Sequence, residues 1–272
     1  MSLLSLPAGD VACQVTGTGA PAILFIHGYS CTAGDWRLQV EGLSSSHKCI
    51  APDLRGHGQS GPADGELTMA AFAADMIAVL DALLIDRAVM VGHSMGTRIA
   101  LEAALQAPER VSGLVLVDGS KVEADPSAVR AAISAAVEDV GFAGWSERNM
   151  GEMFLDGLAE SDRETILQRA IALGPDIGVQ LYENMTAWDQ SRLAAAIEQV
   201  EAPVAVVQST SILPGEARTR CYVDEAPQSP WLDGWRAKGR ANIVTLSKTG
   251  HFAMLERPEE VNGIISDVIK QI

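Results

Sequence analysis

Long apolar runs are missing from this 272-residue chain, and none approaches the roughly 18 residues that would carry a helix across a bilayer. The start, Met1-Ser2-Leu3-Leu4-Ser5-Leu6-Pro7, has no basic region and only a short apolar stretch, which does not read as a secretory signal. A soluble cytoplasmic protein is therefore expected. Basic charge is scarce too: 20 Lys and Arg stand against 35 Asp and Glu, a net charge of −15. With no local basic cluster, such a chain repels phosphate backbones and anionic lipid, so nucleic acid and membrane surfaces are poor partners. Cysteines number four (Cys13, Cys31, Cys49 and Cys221), without CxxC or zinc-ligand spacing. They are read as reduced, mostly buried thiols, and the sequence implies no metal and no cofactor.

What the chain does contain is an ordinary globular balance, 47% apolar and 20% charged, with ample length for a large core. Short apolar or β-branched runs alternate with helical periodicity, the pattern of a mostly parallel sheet flanked by helices. Strands are expected over Val11–Val15, Ala22–His27, Lys48–Pro52, Ala88–Gly92, Gly113–Asp118, Val204–Gln208 and Asn242–Leu246. Helices are expected over Thr68–Leu84, with Thr68 as N-cap, over Ser94–Gln106, and from Pro258 to Ile272. Between Asp118 and Pro203 the alternation stops, and helical stretches such as Ala128–Val140, Glu164–Leu173 and Arg192–Val200 replace it. The expected organisation is an α/β core over 1–124 and 190–272, with a helical cap inserted over 125–189.

Val89-Met90-Val91-Gly92-His93-Ser94-Met95-Gly96 runs from strand through tight turn into helix, the setting in which a G-x-S-x-G pentapeptide becomes a nucleophile elbow. Glycines on both sides allow a sharp turn that presents the Ser94 hydroxyl above the sheet edge. The helix starting there aims backbone N–H groups at an attacked carbonyl oxygen, which makes the Met95 amide one oxyanion donor. Ile23–Ile26 runs into His27-Gly28-Tyr29, and the Tyr29 amide is the natural second donor. The His27-Gly28 turn, Asp53-Leu54-Arg55-Gly56-His57-Gly58-Gln59-Ser60, Gly92–Gly96 and Gly250-His251-Phe252 together resemble the α/β-hydrolase superfamily in matching chain order. The resemblance implies an eight-stranded sheet, no cofactor, and a serine, histidine and carboxylate acting together.

Five histidines compete for the base: His27, His47, His57, His93 and His251. An imidazole that takes the serine proton should hang from a loop at the carboxyl edge of the sheet, and His251, between a strand and the terminal helix, does so. His93 and His27 are expected to pack or tie loops together, His47 to lie at the surface, and Asp53 with Arg55 to be structural. In most relatives the acid follows the strand corresponding to Val204–Gln208, but here that position reads Ile212. Asp118, 24 residues after Ser94 and at the end of its own strand, is the preferred substitute. A subset of the superfamily carries its acid after this strand. Glu216, Asp224 and Glu225, in an irregular stretch that could fold back over His251, remain alternatives.

Within the cap, Trp145, Met153, Phe154, Met185 and Trp188 are candidates for lining an apolar substrate pocket, against the alternative that they are cap core. Trp231 and Trp235 are expected to pack near the His251 loop. Epoxide and dehalogenation chemistry on this fold needs an aspartate nucleophile, which Ser94 is not. The leading expectation is a serine hydrolase of a small carboxylic ester or lactone. A C–C bond hydrolase of the meta-cleavage-product type, and a ligand receptor built on the same fold, are the alternatives. Assembly with further copies of itself stays open.

Overall fold

The computed structural model describes residues 1–62, 65–213, 215–216, 218–221 and 227–272. Eight strands form one sheet: β1 (Ser2–Leu6), β2 (Gly9–Thr16), β3 (Ala22–Ile26), β4 (Cys49–Pro52), β5 (Ala88–His93), β6 (Val111–Val117), β7 (Val204–Gln208) and β10 (Asn242–Thr245). Their order is β1-β2-β4-β3-β5-β6-β7-β10, antiparallel at the β1–β2 and β2–β4 pairings and parallel elsewhere. A separate two-stranded ribbon pairs β8 (Thr210–Ser211) with β9 (Thr219–Arg220). The central strands β3, β5, β6 and β7 are buried at every position, as strands covered on both faces must be. The sequence pattern missed β1: its outer residues are exposed and it pairs only with β2, so burial imposes no clear alternation on it.

The chain passes from β3 to β4 in one direction through α1 (Arg37–Leu43), and from β5 to β6 in the other through α3 (Met95–Gln106). Right-handed crossovers running in opposite directions place their helices on opposite faces of the sheet. Accordingly α1 packs with α10 (Pro258–Ile269), while α3 packs with α2 (Met69–Ala82) and α7 (Leu193–Gln199). The direction reverses between β3 and β5, so their carboxyl ends flank the crevice where such sheets bind ligands. Thr68 caps α2 as expected, its hydroxyl accepting from the Ala71 amide.

Between β6 and β7 lie α4 (Pro126–Gly151), α5 (Glu160–Ala172), α6 (Pro175–Ser191) and then α7. Asp125 caps α4, accepting from the Ser127 and Ala128 amides. The helix expected to stop at Val140 does break there, because Gly141 has φ 74° and ψ 161°, and a second helical segment continues from it. Helix α6 ends at Ser191 and leads directly into α7. Trp231 and Trp235 lie on α8 (Pro230–Lys238) with rings stacked edge to face, their centroids 5.7 Å apart. Trp231 presses on Gly119, where a Cβ would come within 2.6 Å of the indole.

Candidate active site

Ser94 sits between β5 and α3 with φ 53° and ψ −114°. A non-glycine residue held there costs on the order of 1–3 kcal/mol and persists only where its surroundings enforce it. The enforcement comes from backbone contact on both sides. A Cβ at Gly92 would lie 2.3 Å from the Gly96 carbonyl oxygen, and one at Gly96 would lie 2.2 Å from that of Ile26. The two glycines are therefore a packing requirement of the turn. The loop after β3 runs equally close, since a Cβ at Gly28 would stand 3.1 Å from Ser94 Cβ.

Asp118 follows β6 and is also held at positive φ, 47°, with its backbone N–H bonded to the Val207 carbonyl. Fully buried, it receives six donors. Oδ1 accepts from the amides of Ser209 (2.9 Å) and Thr210 (2.8 Å) and from Gln208 Nε2 (3.1 Å). Oδ2 accepts from His251 Nδ1 (2.7 Å), Thr210 Oγ1 (2.5 Å) and Arg218 Nη1 (3.1 Å). A carboxylate in such company is ionised, so His251 carries its proton on Nδ1 and leaves Nε2 as the basic nitrogen. His251 is fixed further by its own backbone, its carbonyl accepting from His93 Nε2 at 2.8 Å. His93 thus braces His251 and also lines the Ser94 cavity. His27 ties two loops, donating to the Gly28 carbonyl and accepting from the Leu54 amide, each at 2.9 Å. His47 is half-buried and bonds the Pro21 carbonyl.

Ser94 and His251 line one cavity of about 120 Å³, whose walls include Tyr29, Arg98, Met153, Tyr182 and Arg218. Ligand pockets more often span about 300–1,000 Å³, so this one suits a small substrate. A wider hollow of about 990 Å³ lies at the opposite, amino-terminal edge of the sheet, lined by Pro21, Arg87, Val111 and Pro203. Of the five apolar candidates, Met153 and Met185 line the Ser94 cavity. The other three are outside that lining: Trp145 packs on Phe142 and Tyr182, Phe154 packs on Phe252, and Trp188 donates its indole N–H to Glu102. Trp145 thus packs between α4 and α6, and Trp188 ties α6 to α3. Asp53 accepts from the Ala33 and Gln59 amides, and Arg55 pairs with Asp75, both away from the cavity.

From the irregular stretch after β7, the described Arg218 stands at Asp118 and His251, so the charge found there is that of a cation. The β8–β9 ribbon turns the chain so that Arg218 reaches Asp118, whereas Glu216 is exposed, and Asp224 and Glu225 lie outside the described residues. Ile212, where the usual acid would stand, lines the cavity. Arg218 was missed because an isolated arginine in a polar loop carries no local signal. A second buried arginine, Arg98 on α3, forms a two-pronged pair with Asp189 on α6, with bonds of 2.8 and 2.7 Å, and also donates to the Ser120 carbonyl.

Burial would raise the Asp118 carboxyl, but the hydrogen bond and charge of His251, then Arg218 and Thr210, hold it down to about 2. Burial, and next the Arg218 guanidinium, push His251 down to about 4 against the opposing pull of Asp118. Arg218 Nη1 stands 3.0 Å from His251 Nδ1. Both atoms carry protons aimed at Asp118 Oδ2, so this is two donors converging on one oxygen. At neutral pH His251 is uncharged and able to accept a proton.

The sheet order, the strained serine turn at its carboxyl edge and the histidine anchored on a buried carboxylate define an α/β hydrolase. The profile of the family described as Alpha/beta hydrolase family matches residues 23–264, and the chain belongs to that family. An epoxide hydrolase of Caballeronia sordidicola is 45% identical over 109 residues, covering 39% of this chain and 33% of the relative. A putative carbamate hydrolase RutD of Azorhizobium caulinodans is 41% identical over 110 residues, 40% of this chain and 41% of its own. The match thus spans about a third to two fifths of the length of these two curated relatives. A thermophilic esterase of Thermogutta terrifontis, solved with malate bound, superposes with a TM-score of 0.78 at 23% identity, covering 99% of this chain and 98% of that one. That likeness is one of fold.

Proposed function

We propose that the protein is a serine hydrolase of small carboxylic esters or lactones, working through an acyl-enzyme. The observation that carries the reading is the 2.7 Å bond from His251 Nδ1 to Asp118 in the wall of the cavity that Ser94 also lines. Ser94 Oγ attacks the carbonyl carbon, forming the new C–O bond while its proton passes to His251 Nε2. The oxygen that gains the negative charge is received by the Tyr29 and Met95 amides. Collapse of this intermediate breaks the bond to the alcohol oxygen, which takes the proton from Nε2. Water then repeats the sequence on the acyl-enzyme, giving its proton to Nε2, and the acid leaves with Ser94 Oγ reprotonated. Asp118 fixes the tautomer and balances the imidazolium. The helices over 126–191 act as a cap that restricts the site to small substrates.

The serine bears directly on the alternatives. Attack of an alkoxide on an epoxide carbon gives an ether, which water cannot hydrolyse at a carbonyl, so Ser94 gives epoxide opening no route to turnover. A carbamate presents the same kind of carbonyl as an ester and belongs in the test panel. Purified protein should turn over short p-nitrophenyl esters or small lactones, and a fluorophosphonate should label Ser94. Absence of both turnover and labelling refutes the reading.

A further inference from the structure

Arg218 is an expensive residue to place where it is. Its side chain is only 6% exposed, and its Nη1 alone serves Asp118, Thr210 Oγ1 (2.6 Å) and the edge of His251. Among the described residues its Nε and Nη2 make no hydrogen bond, and the residue lines the Ser94 cavity. Of the other charged groups on that wall, Arg98 is matched by Asp189, while the Glu152 carboxylate is exposed to solvent and acts on Arg218 through its charge without forming an ion pair with it among the described residues. Tyr29 contributes a buried hydroxyl without a partner among the described residues.

The charge count gives the arginine a consequence for the chemistry. A serine–histidine–aspartate set works with one net negative charge, that of the carboxylate, which stabilises the imidazolium formed when the serine gives up its proton. Here Arg218 cancels that charge and stands beside the ring that must become positive. An anion seated on the free edge of the guanidinium would restore the usual balance at the moment of proton transfer. Water, or a neutral substrate group, would not.

Resting on the hydrolase reading, we infer that the preferred substrates carry a carboxylate, and that Arg218 both binds this group and makes the reaction depend on it. The chain as a whole, at −15, repels anions at long range, so such recognition has to be local and buried. The small cavity places the carboxylate within a few bonds of the reacting carbonyl, as in monoesters of short dicarboxylic acids or acyl esters of short hydroxy acids. The planar fork of arginine suits a carboxylate better than a point charge does.

Two matched pairs of esters test this by pH-stat at low ionic strength. Monomethyl succinate is compared with methyl levulinate for a carboxylate on the acyl side, and acetoxyacetate with acetoxyacetone for one on the alcohol side. Expected is a kcat/KM about tenfold or more higher for the carboxylate member of at least one pair, the size of one charge-assisted hydrogen bond. In Arg218→Met that ratio should fall by about tenfold or more, and Arg218→Lys should recover part of it. Equal or faster turnover of the neutral member in both pairs by the unaltered enzyme overturns the inference while leaving the hydrolase reading intact. A preference that survives in a folded Arg218→Met overturns the assignment to Arg218. No turnover of any of the four esters, with no fluorophosphonate labelling of Ser94, refutes the hydrolase reading itself.

Discussion

Asp118→Asn changes one atom and should produce two separable effects. Each carboxylate oxygen accepts from three donors, so the new amide NH₂ must face donors whichever way it turns. On the Oδ1 side two of those donors are backbone amides of Ser209 and Thr210 and cannot adapt. On the Oδ2 side only Arg218 cannot adapt, since His251 can move its proton to Nε2 and the Thr210 hydroxyl can rotate. The NH₂ therefore turns toward His251 and selects the tautomer that cannot accept the Ser94 proton. A serine triad with the wrong tautomer loses about 10⁴ in kcat. The second effect is on stability. Arg218 loses the anion it is paired with while still buried, and breaking a buried pair in this way costs about 3–5 kcal/mol. Stopped-flow or endpoint hydrolysis of a p-nitrophenyl ester reads the first effect, and urea unfolding the second. Adding Arg218→Met to Asp118→Asn should return much of the stability and none of the 10⁴. A loss of kcat below about tenfold in the single variant, with folding intact, would refute the assignment of Asp118.

Further outcomes follow from neighbouring features. His27, His57 and His93 are each pushed down by burial to about 3, and His251 by burial and Arg218 to about 4, so the unfolded chain binds these protons first as pH falls below 6.5. Stability conferred by keeping them neutral is present above 6.5 and lost on acidification, on the order of 1 kcal/mol for a histidine at pH 5.5. Urea midpoints at pH 7.5 and 5.5 check this, and an unchanged midpoint would show that the folded histidines protonate normally. Arg98→Met should cost about 3–5 kcal/mol by stranding Asp189 between α3 and α6, and Arg98→Met/Asp189→Leu should recover most of it in thermal melts. Gly96→Ala forces a Cβ onto the Ile26 carbonyl, so it should lower stability by more than about 3 kcal/mol or prevent soluble expression; a normal melting curve would contradict the packing account of the elbow.

Short-range physics made the elbow legible. Gly92 and Gly96 are required by contacts within a few residues and one neighbouring strand, and the β5, β6 and β7 runs announce their two-sided burial in their composition. The absence of an acid near Ile212 was equally visible, and it directed attention to Asp118. Trp145 and Trp188 show the limit of that approach, because an apolar residue on a helix reads the same whether it faces a cavity or a neighbouring helix.

The sequence alone therefore determined the fold class and the local settings of Ser94 and His251, since each lies in a segment whose conformation is dictated locally. The tertiary structure decided what surrounds them. The Asp118–His251 bond joins positions 133 residues apart, and the Arg218–Asp118 pair joins positions 100 apart. No periodicity or turn signal spans such distances. Only the β8–β9 ribbon, folded onto the end of the sheet, brings a buried guanidinium to the carboxylate and so sets the charge of the site.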